Sequence, residues 1–339
     1  MHFSSSQLIK TLVRTLTGVS LVAALFTPTS VLSQDAPISS EQQVNQANDI
    51  VASVLGPKKP VDLAYGAFQQ GAYLTALALA LPRAEADDPA AQTLIAELYA
   101  NGLGVPINLA RASSWYALAD KNGDLNSTFQ LALLYQAGAG VPQDKQRAAE
   151  LIQKAADGGL VTAKYNLAQL HIEGRYVEPD FSKAAELFKE AADAEIADAQ
   201  YDYGNVLMAG AGVAPSLEDG VHYIGLAAAN GHVSAQIEYA TFLIQGRGVP
   251  QDLALAGQWY EKAAIAGNPV GQARYARLLA NGDGVDQNTI EAIKWRELAR
   301  SKGLKDPVLD DLIAGASDAE INAGKLRAQY WPENPPLQN

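Results

Sequence analysis

Apolar and small residues recur along this chain in short stripes of helical spacing that restart at a constant interval. The origin of each stripe is set by a glycine motif: GLGV at Gly102, GAGV at Gly138, GRYV at Gly174, GAGV at Gly210, GRGV at Gly246 and GDGV at Gly282, every interval being 36 residues. Seven residues before the glycine stand Ile95, Leu131, Leu167, Tyr203, Tyr239 and Tyr275. Six before it stand Ala96, Ala132, Ala168, Gly204, Ala240 and Ala276, and four before it Leu98, Leu134, Leu170, Val206, Phe242 and Leu278. Offsets −11, −7 and −4 share one helical face. The segment therefore reads as a helix, here helix A, with a narrow apolar stripe and a small-residue notch. The glycine suits a left-handed C-terminal cap, where a Cβ costs about 1 to 2 kcal/mol.

A second helix, helix B, follows each loop. Asn108, Asp144, Asp180, Ser216, Asp252 and Asn288 stand at equivalent places, each able to accept a bond from the orphan N–H groups of a helix start. Ala112, Ala148, Ala184, Gly220, Ala256 and Ala292 lie ten residues past the motif glycine. An unbroken alanine column runs from Ala119 to Ala299 at offset +17, with Trp115, Leu151, Leu187, Tyr223, Trp259 and Trp295 between the two small columns. Large side chains facing small ones let helices approach closely. A closing glycine at Gly123, Gly159, Gly231, Gly267 and Gly303 turns the chain into the next unit, with Glu195 in its place once. In helix A, Gln236 falls outside the stripe and is expected to be more exposed than the alanine column.

Six copies in one register mark a repeat architecture, so the two-domain prior that 339 residues would suggest fails. The combined pattern, as in AQIEYATFLIQGRGVPQDLALAGQWYEKAAIAG from Ala235 to Gly267, resembles the Sel1-like repeat family, a relative of the tetratricopeptide helix pair. The resemblance implies an all-α, right-handed α-solenoid of tandem helix-turn-helix repeats with a 36-residue period over residues 88–305. Tyr176, in place of the second loop glycine, and Glu195 depart from it; both are expected to keep the fold while altering the loops. Residues 61–87 read as a degenerate helix pair, 306–331 as C-terminal capping helices with Asp318 near the last helix start and Trp331 at its end, 34–60 as a flexible linker and 332–339 as a flexible tail.

Composition narrows function mainly by exclusion. Lys and Arg total 25 against 37 Asp and Glu, a net charge of −12 without any cationic run, which argues against a nucleic-acid surface. The chain has no cysteine, so thiolate metal sites, disulfides and cysteine nucleophiles are excluded. Lys10 and Arg14 precede an uncharged stretch from Thr15 to Phe26, followed by Pro28 and small residues. This reads as a secretory signal peptide over residues 1–33, cut after Ser33. It predicts an exported, not membrane-spanning protein, placed first in a bacterial periplasm and second outside the cell.

The candidate site is the face of helix A opposite the stripe, which the resemblance puts on the inner surface of the superhelix. Offsets −9, −5 and −2 give Phe129 and Leu133; Tyr165, Gln169 and Ile172; Tyr201, Asn205 and Met208; and Ile237 and Ile244, an aromatic and apolar strip in the middle of the array. Such a strip is ordinarily a partner site; the same residues also suit packing against the adjoining helix, and both readings stay open. No catalytic, cofactor or metal residue is assigned. The repeated glycines follow a helix, lack GK[ST] and recur six times, unlike a nucleotide site. NGDGVDQN puts Asp286 where an EF-hand needs glycine and Ala292 where it needs a bidentate acid. His171, His222 and His232 lack zinc-site spacing, and Asp87/Asp88 and Asp310/Asp311 sit at element edges. The resemblance thus implies a non-catalytic protein-interaction scaffold in the cell envelope, regulating a membrane sensor or assembling an exopolysaccharide or secretion complex. A carbohydrate-binding or wall-polysaccharide-processing protein, and a secreted host-interaction factor, remain the alternatives.

Overall fold

The computed structural model describes residues 62–331, and all regular structure among them is helical. A short pair, α1 (Leu63–Gln69) and α2 (Tyr73–Glu85), precedes six A/B pairs. The A helices are α3 (Pro89–Asn101), α5 (Leu125–Ala137), α7 (Val161–Glu173), α9 (Ala197–Ala209), α11 (Val233–Gln245) and α13 (Pro269–Asn281). The B helices are α4 (Leu109–Lys121), α6 (Lys145–Asp157), α8 (Phe181–Asp193), α10 (Leu217–Ala229), α12 (Leu253–Ile265) and α14 (Thr289–Ser301). Two further helices follow, α15 (Pro307–Leu312) and α16 (Asp318–Gln329). Each repeat helix from α3 to α13 packs on the one before it and the one after it, and α14 packs on α13 and on α16, the stacking of an α-solenoid in which no pair buries its apolar face alone.

Local signals end the helices where the sequence places them. Every A helix stops at its motif glycine in the left-handed conformation, with φ from 61° to 81°. Every B helix starts at the expected Asn, Asp or Ser, whose side chain accepts the N–H three residues on. All six members of the +17 alanine column are at most 2% exposed, so adjacent helices meet there with no room for a larger side chain. Large residues are buried one place beyond the Trp/Leu/Tyr column as well: Tyr116, Ile152, Phe188, Ile224 and Tyr260. Tyr116 donates to Glu97 at 2.9 Å and Tyr260 shares a 2.8 Å bond with Thr241, which fastens B to A within a repeat.

One expectation fails. Gln236 is 7% exposed, and Gln92, Gln200 and Gln272 at the same offset are buried more deeply. Each side-chain amide donates to the next-to-last residue of the preceding B-type helix: Gln92 to the Ala84 carbonyl at 2.9 Å, Gln200 to Ala192 at 3.2 Å, Gln236 to Ala228 at 3.3 Å and Gln272 to Ala264 at 3.2 Å. Those carbonyls are among the last four of a helix and lack the usual partner four residues on; each accepts only the backbone N–H three residues on, at 3.0 to 3.2 Å, and keeps a lone pair for the glutamine. Glutamine is therefore selected at this buried position by the neighbouring helix end, which one helix's own periodicity does not reveal.

The two departures keep the backbone of the positions they replace. Tyr176 has φ 64° beside 70° to 77° at the five glycines in its place, and Glu195 has φ 63°. The third loop is nevertheless looser, because the Asp180 N–H reaches the His171 carbonyl at 3.3 Å, where the equivalent bonds measure 2.8 to 3.0 Å.

Ion pairs and aromatic rings hold the two ends of the stack. Arg83 bridges Asp62 and Asp88, each at 2.7 Å, tying α1, α2 and α3 together. Arg277 on α13 makes a two-pronged bond to Asp306 at 2.8 and 2.5 Å, which positions α15. Burial by itself raises the Asp306 carboxyl, but the Arg277 bond, the Leu309 N–H and the charges of Arg277 and Arg274 together outweigh it and hold the group below its ordinary range. Beyond α16, the Trp331 ring meets Trp295 edge-on at 5.1 Å, and the Lys294 ammonium lies over both rings at 4.4 Å (Trp295) and 3.9 Å (Trp331). The leader expected at 1–33, the linker at 34–60 and the tail at 332–339 lie outside the described residues.

Candidate functional site

A period of 36 residues brings equivalent positions of successive A helices side by side, so the ten strip residues fall on α5, α7, α9 and α11. All are half-buried except Ile172, which is 37% exposed. Phe129 and Tyr165 pack against the core of the second to fourth repeats, and Ile237 and Ile244 against that of the fifth. Met208 lies over its own helix B, where a Cβ at Gly220 would come within 2.4 Å of the Met208 Cγ. The strip thus joins the core at its base and solvent at its top.

Its polar atoms form a seam between neighbouring A helices. The Tyr165 hydroxyl donates to Asp202 Oδ2 at 2.9 Å, and the Gln169 amide donates to that hydroxyl at 2.8 Å. One repeat on, the Tyr201 hydroxyl donates to Glu238 at 2.6 Å, its ring stacks on His232 at 4.3 Å, and Asn205 donates to the Tyr201 carbonyl at 3.1 Å. In the first repeat Thr93 shares a 2.7 Å bond with Ser127 across the same seam. Burial, reinforced by the Glu238 carboxylate, pushes the Tyr201 hydroxyl up to about 12, and burial beside Asp202 raises Tyr165 further. Burial also raises the Asp202 carboxyl, against the bonds from Tyr165 and Gln169 that lower it.

Next to this seam lies a pocket of about 480 Å³ between the third and fourth repeats. Buried Phe188 and Val206 line its inner part; Ile172 and Phe181, 37% and 50% exposed, line its rim. Gln169, Asn205, Asp202 and Glu173 also line it. Three of the sequence-predicted residues, Gln169, Ile172 and Asn205, therefore share one concavity, and the other seven do not line it. Asp202, Glu173, Phe181 and Phe188 escaped the sequence reading. A signal was present: Tyr165 and Asp202, like Tyr201 and Glu238, are one period plus one residue apart.

Several of the titratable residues singled out for chemistry have structural partners. His232 caps α11 by accepting the Ala235 N–H at 3.0 Å, and His171 Nδ1 lies 2.8 Å from the Glu178 carbonyl oxygen. Asp88 caps α3, and Asp310 pairs with Arg296 at 2.6 Å. Among the described residues no group of three or more His, Asp or Glu side chains is arranged to hold a metal ion.

These features define a tandem helix-pair solenoid with a pocketed seam along its A helices. The chain belongs to the Sel1 repeat family, whose pattern it matches at residues 89–124, 126–160, 161–195, 197–232, 233–268 and 269–304. It is similar to the crystal structure of a Sel1 repeat protein from Oxalobacter formigenes, at 28% identity and a TM-score of 0.64, over 70% of this chain and 98% of that one. It is also similar to a protective antigen of uropathogenic Escherichia coli strains with an SLR fold, at 26% identity and a TM-score of 0.65 over 75% of this chain. The match spans 56% of that antigen's length. No curated protein sequence matches the chain. Sel1 repeat proteins generally mediate protein–protein interaction, and the scaffold is generally non-catalytic. No described helix is long and apolar enough to cross a membrane.

Proposed function

We propose that this chain is a non-catalytic adaptor of the cell envelope, whose A-helix face between the second and fifth repeats receives a protein partner. The pocket at the third and fourth repeats carries the reading, because it joins an apolar interior and an exposed apolar rim on a family scaffold that serves protein contacts. An exported location draws support from the leader-like residues 1–33 and from the likeness to a protective antigen. Regulation of a membrane sensor, or assembly of an exopolysaccharide or secretion complex, is the envelope role that fits such an adaptor. Sugar binding draws less support: the Tyr201 ring is already stacked on His232, and both seam hydroxyls are engaged by carboxylates.

The test is photo-cross-linking in the native cell, with a photoreactive residue at Ile172 or Asn205 and, as control, at Glu218 on helix B. The proposal expects one protein enriched from the two groove positions and not from Glu218. Equal adducts from all three positions, or adducts from Glu218 alone, would place the partner elsewhere.

A further inference from the structure

The pocket between the third and fourth repeats pairs an apolar cavity with unmatched negative charge. Asp202 is half-buried, and its Oδ2 is held in place by the Tyr165 hydroxyl, itself fixed by Gln169. Glu173 stands at the exposed side of the same pocket. No lysine, arginine or histidine lines it. The ion pairs among the described residues include neither of these two carboxylates; on α7 and α8, Lys164 pairs with Glu190 and Lys183 with Glu186. Asp202 is also a carboxylate whose charge burial disfavours. A cation brought into the pocket would relieve that penalty.

The rest of the lining narrows the cation. Phe188 inside and Phe181 at the rim offer aromatic surface, and Ile172, Val206 and Ala209 offer apolar surface for a stem. A guanidinium is planar, stacks on aromatic faces and pairs with carboxylates through a rigid fork, whereas an ammonium is compact and strongly hydrated. The net charge of −12 favours approach of a basic segment. Resting on the adaptor reading above, we infer that this pocket takes an arginine side chain from the partner protein, with Asp202 as its half-buried counter-ion and Glu173 at the entrance.

The probe is the peptide acetyl-Ala-Arg-Ala-amide, titrated into the full chain while amide NMR shifts are followed. The expected result is saturable shifts confined to the pocket, including Asn205, Ala209 and Ala211. Citrulline in place of arginine keeps the shape and removes the charge, and should bind at least tenfold more weakly. Asp202→Asn still accepts the Tyr165 bond; it should lose affinity by a similar factor with an unchanged melting temperature, and Glu173→Gln should lose less. Equal binding of the arginine and citrulline peptides, no effect of Asp202→Asn, or an equally tight lysine peptide would overturn the inference. If the arginine peptide leaves the pocket amides unmoved while Ile172 still cross-links one partner, the arginine assignment falls and the adaptor reading stands. If the peptide binds as expected but groove cross-links match those at Glu218, the adaptor reading falls and the pocket chemistry stands.

Discussion

The side-chain amide of Gln236, in the first turn of α11, donates to the carbonyl of Ala228, in the last turn of α10, at 3.3 Å. The bond gives a second partner to a helix-end carbonyl whose own chain supplies only the Gly231 N–H at 3.2 Å, and it recurs at Gln92, Gln200 and Gln272. The other side of the amide differs among repeats. Asn122 donates to Gln92 Oε1 and Asn230 to Gln200 Oε1, at 3.0 and 2.9 Å. Ala266 and Lys302 occupy the equivalent places in the fifth and sixth repeats, and there Gln236 Oε1 and Gln272 Oε1 are buried without a partner.

Gln236→Leu should destabilise the array by about 0.5 to 1.5 kcal/mol, because the Ala228 carbonyl loses one of its two bonds and keeps only the Gly231 N–H at 3.2 Å. Urea melts of the variant and the parent would measure it, and a change within error would mean that the carbonyl is not closed by this amide.

Ala266→Asn should stabilise by about 1 kcal/mol through a donor to Gln236 Oε1. Ala266 already has the backbone conformation near φ −65° and ψ −2° that asparagine adopts readily. The gain should vanish in the Gln236→Leu background, a double-mutant cycle that separates the bond from any effect of asparagine on the turn.

Glu195 holds φ 63° where five other repeat closures have glycine. Glu195→Gly should raise stability by about 0.5 to 1 kcal/mol, the strain relieved less the added freedom of the unfolded chain. Thermal melts decide the sign; a loss would show that the Glu195 side chain contributes more than its backbone costs.

Ala227 is 0% exposed in the middle of the alanine column. Ala227→Leu should overpack the junction and cost about 1 to 3 kcal/mol, whereas Ala229→Leu, at an exposed end position of α10, should change stability little. Equal effects in denaturant melts would put the close contact somewhere else.

The tyrosine seam gives stability an alkaline limit. The ordinary value of 10.0 rises to about 12 at Tyr201 on folding, and Tyr165, Tyr116 and Tyr275 also rise. The folded chain keeps protons that the unfolded chain loses. The contribution of Tyr201 is thus fully present below pH 10.0 and is lost as pH climbs toward about 12. Melting temperature should fall across that window, and Tyr201→Phe should make the fall shallower.

Much of this protein was decided by signals that act within one repeat. The motif glycine ends helix A, the Asn, Asp or Ser starts helix B, and the alanine and large-residue columns mark the contact; each works over a few residues, so one sequence with six aligned copies displays them directly. The strip Phe129 to Ile244 was legible as a face for the same reason. What lay between repeats needed the tertiary structure. Gln236 reads as polar and exposed along its own helix, yet it is buried because α10 ends beside it. Tyr165 reads as an aromatic suited to a partner or to packing, yet its hydroxyl is taken by Asp202 from the next A helix. Phe181 and Phe188 reach the pocket from helix B, outside the A-helix strip. Helical periodicity reports which face of a helix is apolar, but the partner of a buried polar atom depends on which neighbour the stacking brings within about 3 Å. That distance is set by the packing of whole repeats.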